Sequence, residues 1–248
     1  MSTKNQPDQP QDYSLSVQEL VQVEAFIQRR NTAVVTTMFT DIKGFTEITE
    51  SKGDTYAQSL RQAHDEILTR VIEKDGQGKV IKFIGDAVMA IFSEPSAAVV
   101  RALQIQREVA TFNRANADFE DLSVRIGLHM GQVAVEERVQ ADVFGRHVNR
   151  AARIESLADG GQVFLTYPVF DSAKGWLESE PNLEWKLHGA WYVKGIDEPV
   201  QVYEVFDPTL RQPQAPKGGR KVRVFPKALT SVLLLVVGAA LAFGWLYF

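Results

Sequence analysis

The sequence predicts an α+β fold of the ferredoxin-like type, an antiparallel-rich sheet covered by helices, followed by one transmembrane helix at the C-terminus. Three observations carry this. Runs rich in β-branched residues interleave with amphipathic runs in the order strand, helix, strand, strand, helix, strand, strand, helix, strand. The strands come largely in hairpin pairs, which favours antiparallel pairing over crossover units. The last 21 residues, 228–248, contain no charge.

Taken from the N-terminus, residues 1–13 are polar and proline-bearing, a disordered start without the apolar core of a signal peptide. Ser16 and Glu19 form an S-x-x-E capping box for a helix within 14–31. Its apolar residues Val17, Leu20, Val21 and Phe26 need a surface, either the following domain or a partner helix. Residues 33–41 (AVVTTMFTD) are β-branched and read as a strand. Tyr56, Leu60, Ala63, Ile67 and Val71 recur at helical spacing and give a long helix over 54–74. Residues 79–92 (KVIKFIGDAVMAIF) read as two strands joined by a tight turn at Gly85-Asp86. Ala98, Ala102, Ile105, Val109 and Phe112 mark a second amphipathic helix. Residues 123–139 read as a hairpin pivoting near Gly131, and 145–157 as a third helix. Strands at 162–166, 191–193 and 200–206 complete a domain over 32–207, with the helices expected on one face of the sheet.

Residues 208–227 form a basic linker rich in Pro and Gly. Residues 228–248 follow, and at about 1.5 Å per residue they span a hydrocarbon core of roughly 30 Å. Trp245 and Tyr247 suit an interfacial anchor, and the preceding bases favour a cytoplasmic position for the main domain. Gly238 and Ala242, like Ala240 and Gly244, are small residues four apart that would let two such helices pack closely.

Composition narrows the function. There is no cysteine among the 248 residues, so disulfides, thiolate metal sites and cysteine nucleophiles are excluded. All 31 acidic residues lie at or before Asp207 with 21 of the 27 basic ones, a surplus of ten negative charges that argues against nucleic-acid binding.

Three clusters carry candidate chemistry. Asp41 ends an apolar strand, where a carboxylate is costly unless paired or bound to a cation. The residues after it, Ile42 to Thr46 and notably Gly44 and Phe45, can present main-chain N–H groups to phosphate at a helix start. Asp86 lies in the turn between two apolar strands. If that hairpin neighbours the first strand, Asp41 and Asp86 can hold two divalent cations for an in-line phosphoryl displacement. Lys82 stands four residues before Asp86 in an apolar strand and needs an acceptor, unless the strand is simply an edge. In the third cluster, Asp142 to Arg153, Asn149 and Arg153 share a helix face, and arginine has the fork and permanent charge suited to a transition-state phosphate. The four histidines have no metal-ligand spacing and read as structural.

The segments FTDIKGFT, KFIGD and DVFGRHVNRAAR, in this order and spacing, resemble the catalytic domain of class III nucleotide cyclases, the adenylyl and guanylyl cyclases. The resemblance runs over about 32–207 and includes the closing YVKGIDEPVQVYEV. It implies a cyclase acting on a nucleoside triphosphate with two Mg²⁺ or Mn²⁺ ions, held by Asp41, Asp86 and the Ile42 carbonyl. It further implies that Lys82 and Asp142 read adenine, that Asn149 orients the ribose, that Arg153 stabilises the pentacovalent phosphorus and that Lys194 contacts the triphosphate. Lysine can donate to adenine N1 while aspartate accepts from the 6-amino group; guanine offers the opposite pattern. Because the family builds its site between two domains and this chain has one, a homodimer with two equivalent sites is expected. The alternatives are a cyclase of another nucleotide and a catalytically inactive, anchored dimerisation or sensing module. A diguanylate cyclase would need the GGDEF motif, and Gly160-Gly161 lacks its acidic pair.

Overall fold

A computed structural model describes residues 32–117, 119–137 and 141–223 of the chain. The N-terminal helix expected within 14–31 and the apolar segment 228–248 lie outside these residues. Among the described residues no helix is long and apolar enough to cross a membrane.

Among the described residues nine strands form one sheet: β1 (Thr32–Ile42), β2 (Gly78–Ile84), β3 (Ala87–Phe92), β4 (Val124–Glu137), β5 (Ala141–Phe144), β6 (Val163–Thr166), β7 (Glu184–Tyr192), β8 (Val200–Phe206) and β9 (Arg220–Lys221). The α-helices among these residues are α1 (Phe45–Lys52), α2 (Asp54–Ile72), α3 (Pro95–Ala115), α4 (Arg146–Glu155) and α5 (Tyr167–Lys174). The strand order is β2-β3-β1-β4-β6-β8-β7-β9, with β5 paired to the far end of β4. Among the described strands β4 and β6 alone run parallel, as the hairpin-rich sequence predicts.

The main core lies on one face. Met38 and Ile42 of β1 point into it, and α2 contributes Leu60, Ile67, Leu68, Val71 and Ile72 at helical spacing. Ala98, Ala102, Ile105 and Val109 do the same for α3, which Pro95 starts at its first turn. Alternate β1 residues such as Val35 point to the opposite face, where they meet Val133 of β4, Val143 of β5 and Val148 of α4. The helices therefore cover both faces, not one. The difference arises because β1 is apolar on both sides, and its second face has to be buried by something.

The hairpin expected to pivot at Gly131 is instead one 14-residue strand, β4, in which Gly131 pairs with Val35. That glycine makes room for a helix. A Cβ there would collide with the His147 ring, and one at Gly127 would collide with the Glu155 nitrogen. Two glycines four apart on one strand thus let α4 lie directly on the sheet. The segment 208–223 also departs from a free linker: it runs back over the domain and ends in β9, paired with β7.

Candidate active site

The metal-candidate carboxylates meet at one end of the sheet. Antiparallel pairing of Thr40 with Val88 brings the end of β1 beside the β2–β3 turn that carries Asp86. Asp41 pairs across β4 with Arg125, whose Nη2 donates to Asp41 Oδ2. The same guanidinium places its Nε 3.0 Å from Glu155 Oε1 at the end of α4. Burial raises the Glu155 carboxyl to about 7; Arg125 opposes this, and the charge of Asp86 adds to it. Asp41 and Glu155 therefore flank one arginine, with Asp86 close enough for its charge to act on Glu155, a net negative cluster. Arg125 and Glu155 were not singled out from the sequence, although an arginine inside the apolar run VRIGLHM was a usable signal.

Ile42 buries its side chain in the main core at 2% exposure, so only its main chain can serve the site. Lys43 donates its backbone N–H to Ser123 O at 2.8 Å, and Gly44 turns the chain with φ of 74°. Helix α1 then starts at Phe45 with no side-chain cap, which leaves its first-turn N–H groups for an anion. The hard oxygen donors of Asp41, Asp86 and the Ile42 carbonyl fit Mg²⁺ or Mn²⁺. Among the described residues no three His, Asp or Glu side chains form a metal cage, so the remaining coordination would fall to substrate oxygens and water.

The second cluster sits on α4. Val148, Ala151 and Ile154 are buried beneath the helix, which turns Asn149 and Arg153 outward to solvent. Both line a cavity of about 730 Å³ together with Arg146, Gly195 and Asp197. Lys194 stands exposed beside that loop. Asp41 and Asp86 do not line this cavity. Lys82 lies in the edge strand β2, and its Nζ sits 5.1 Å from the centroid of the Phe144 ring. Phe144 is two residues beyond Asp142 in β5, so Lys82 reaches the strand that carries Asp142. The ten residues thus fall into a metal-side group, a Lys82–β5 group and an α4–194 loop group.

Two histidines read as scattered also meet here. His129 and His147 stack at 5.1 Å between β4 and α4 and share a 2.8 Å hydrogen bond; His129 Nδ1 bonds Thr166 Oγ1 at 2.8 Å. Burial, then the neighbouring His147 and Arg150, lower the His129 pKa to about 3.

Comparison with known proteins identifies the family of this domain. Residues 27–206 match the family described as adenylate and guanylate cyclase catalytic domain. An uncharacterized protein of Mycobacterium tuberculosis is 34% identical over 179 residues, covering 72% of this chain and 43% of the other. A putative adenylate cyclase 3 of Rhizobium meliloti is 29% identical, covering 71% and 28% respectively. This chain therefore spans less than half the length of these curated relatives. A solved structure of adenylate cyclases from Trypanosoma brucei in their monomeric state superposes with a TM-score of 0.64 at 25% identity, over 79% of this chain and 97% of that one.

Proposed function

The chain belongs to the adenylate and guanylate cyclase catalytic-domain family, and on that premise we propose that it is an adenylate cyclase converting ATP to 3′,5′-cyclic AMP and pyrophosphate at a homodimer interface. The observation that carries the choice of base is Lys82, a donor on β2 reaching the strand that holds the acceptor Asp142. An acid in place of Lys82 would favour guanine, whose N1 is a donor.

The homodimer follows from the division of the site. Asp41 and Asp86 lie at the β1 end, whereas Asn149 and Arg153 face outward from α4 into a cavity that neither aspartate lines. A second copy can bring its α4 to the first copy's carboxylates, and symmetry then makes two sites. In each, Asp41, Asp86 and the Ile42 carbonyl would hold Mg²⁺ or Mn²⁺. When bound, these ions neutralise phosphate charge and acidify the ribose 3′-hydroxyl. Asn149 of the other copy orients the ribose so that its 3′-oxygen lies in line with the α-phosphorus. The new 3′ oxygen–phosphorus bond forms as the bond to pyrophosphate breaks; the 3′-hydroxyl proton passes to solvent water and the bonding pair leaves with pyrophosphate. Arg153 holds the charge that builds on the α-phosphate oxygens. Gly44, Phe45 and Lys194 contact the leaving polyphosphate.

The uncharged segment 228–248 ties the protein to a membrane in this reading, with the catalytic domain on the cytoplasmic side. The purified protein, incubated with each of the four NTPs and Mn²⁺, should yield cyclic AMP as the main product by mass spectrometry. Cyclic GMP or a cyclic pyrimidine nucleotide in excess would overturn the base assignment. No cyclic product from any NTP would leave an inactive dimerisation module.

A further inference from the structure

The family match ends at residue 206, yet the described chain continues as a strap fastened to the domain at successive points. Asp207 pairs with Arg107 Nε at 2.7 Å and accepts the Thr209 N–H. Gln214 N donates to the buried Glu204 carboxylate, and Gln162 Nε2 donates to Gln214 O at 2.8 Å. Lys217 N donates to Leu157 O at 3.1 Å, and its ammonium pairs with Asp159. Beyond it, Arg220 and Lys221 pair with Tyr192 and Trp191, and Val222 N donates to Ala190 O at 2.9 Å.

Two of these anchors reach the cyclase site from opposite directions. Asp159 follows the C-terminal end of α4, the helix of Asn149 and Arg153. Its other oxygen pairs with Lys43 at 2.6 Å, and Lys43 is the residue directly after the Asp41-Ile42 metal segment. Burial of Asp159 disfavours its charge, but the bonds from Lys217 and Lys43 and the Gly160 N–H outweigh this and hold it well below the usual carboxylate range. One carboxylate therefore joins the metal turn, the end of α4 and the strap. Farther on, β9 and Val222 fix the end of β7, and Lys194 and Gly195 follow within a few residues. Gly195 lies against Arg153, whose Nε would be 4.0 Å from a Cβ at that position.

We propose that Asp159 is a positioning residue of the cyclase site and that the strap 207–222, through Lys217 and β9, sets the spacing between the metal turn, the Arg153 helix and the Lys194 loop. Residues beyond 223 continue from the strap into the apolar C-terminal segment, so tension or displacement there is delivered to both halves of the site. This makes the C-terminal side an input to catalysis, resting on the cyclase reading above.

The test uses the full chain with Lys217→Ala, Lys217→Arg and Val222→Pro, none of which touches substrate. Val222→Pro removes the N–H that bonds Ala190 and leaves Asp159 untouched. Without nucleotide, hydrogen exchange should rise at 41–44 and 155–160 in Lys217→Ala, and at 190–196 in Val222→Pro. Turnover should fall about fivefold in each, with KM within about twofold and the melting temperature unchanged, because a small displacement of the reacting groups costs rate before it costs binding. Lys217→Arg should restore both exchange and turnover. Wild-type exchange at all three segments in both the alanine and the proline variant, or turnover lost only in step with melting temperature, would overturn the strap. Since exchange is read without substrate, a wild-type protein that makes no cyclic product would end the cyclase reading, while the exchange pattern would still decide the strap.

Discussion

At the scale of single residues, the neighbourhood of a side chain decides what it can do. Asp41 is an ordinary strand-end aspartate in the sequence. Opposite Arg125, and near Asp86 and a Glu155 carboxyl raised to about 7 by burial, it becomes part of a negative cluster at the turn that leads into α1. His129 shows the same dependence. Its ring is enclosed by Thr166 on β6 and by His147 on α4, with Arg150 near and Arg146 beside His147. Its pKa of about 3 lies below the ordinary value of 6.5, so the unfolded chain takes up a proton first as pH falls. The stability this contributes is present above pH 6.5 and is lost between there and about 3, by an amount on the order of a few kcal/mol. Thermal melts from pH 7 to 4.5 should show a shallower acid-side fall for His129→Gln than for the parent; equal slopes would remove His129 as a source.

At the scale of elements, the pairing of β4 with α4 governs the site. Helix α4 presents Asn149 and Arg153 to solvent only because its other side, Val148, Ala151 and Ile154, packs on the sheet. The approach depends on Gly127 and Gly131. A methyl added at Gly127 runs into the Glu155 nitrogen, main chain that cannot rotate away. Gly127→Ala should therefore lift the end of α4, costing about 1–3 kcal/mol of stability and most of the turnover. Urea denaturation and a kcat measurement check this, and a variant with parental values of both would show that α4 need not lie so close. The sequence showed a glycine in this run but assigned it a turn, because glycine's two uses, reversing a chain and admitting a neighbour, look alike without the neighbour.

At the scale of the whole molecule, the two halves of the site point to different places on one chain, and the reading requires two copies. Asp41→Ala and Arg153→Ala should each be inactive alone. Mixed in equal amounts with subunit exchange, they should recover about a quarter of parental activity, since half the dimers are hybrids with one intact site of two. Exchange verified by mass with no recovered activity would rule out shared sites. The strap also fixes where the chain can be cut. Deletion of 224–248 should move the protein from the membrane to the soluble fraction with its fold intact, because the strap is anchored within the described residues up to Val222. Continued sedimentation with membranes would remove the anchor.

The hairpin turn at Gly85-Asp86, the long apolar periodicity of α2 and the three short segments that identify the cyclase family were all legible in the sequence, because each is a local pattern of side-chain spacing. The tertiary structure alone decided that Arg125 lies across from Asp41, that helices bury both faces of the sheet, and that 208–222 is bound to the domain. Those facts depend on strand register and on partners far apart along the chain, such as Asp41 with Arg125. Local spacing says which face of a strand is apolar, but only the packed chain supplies what lies against it.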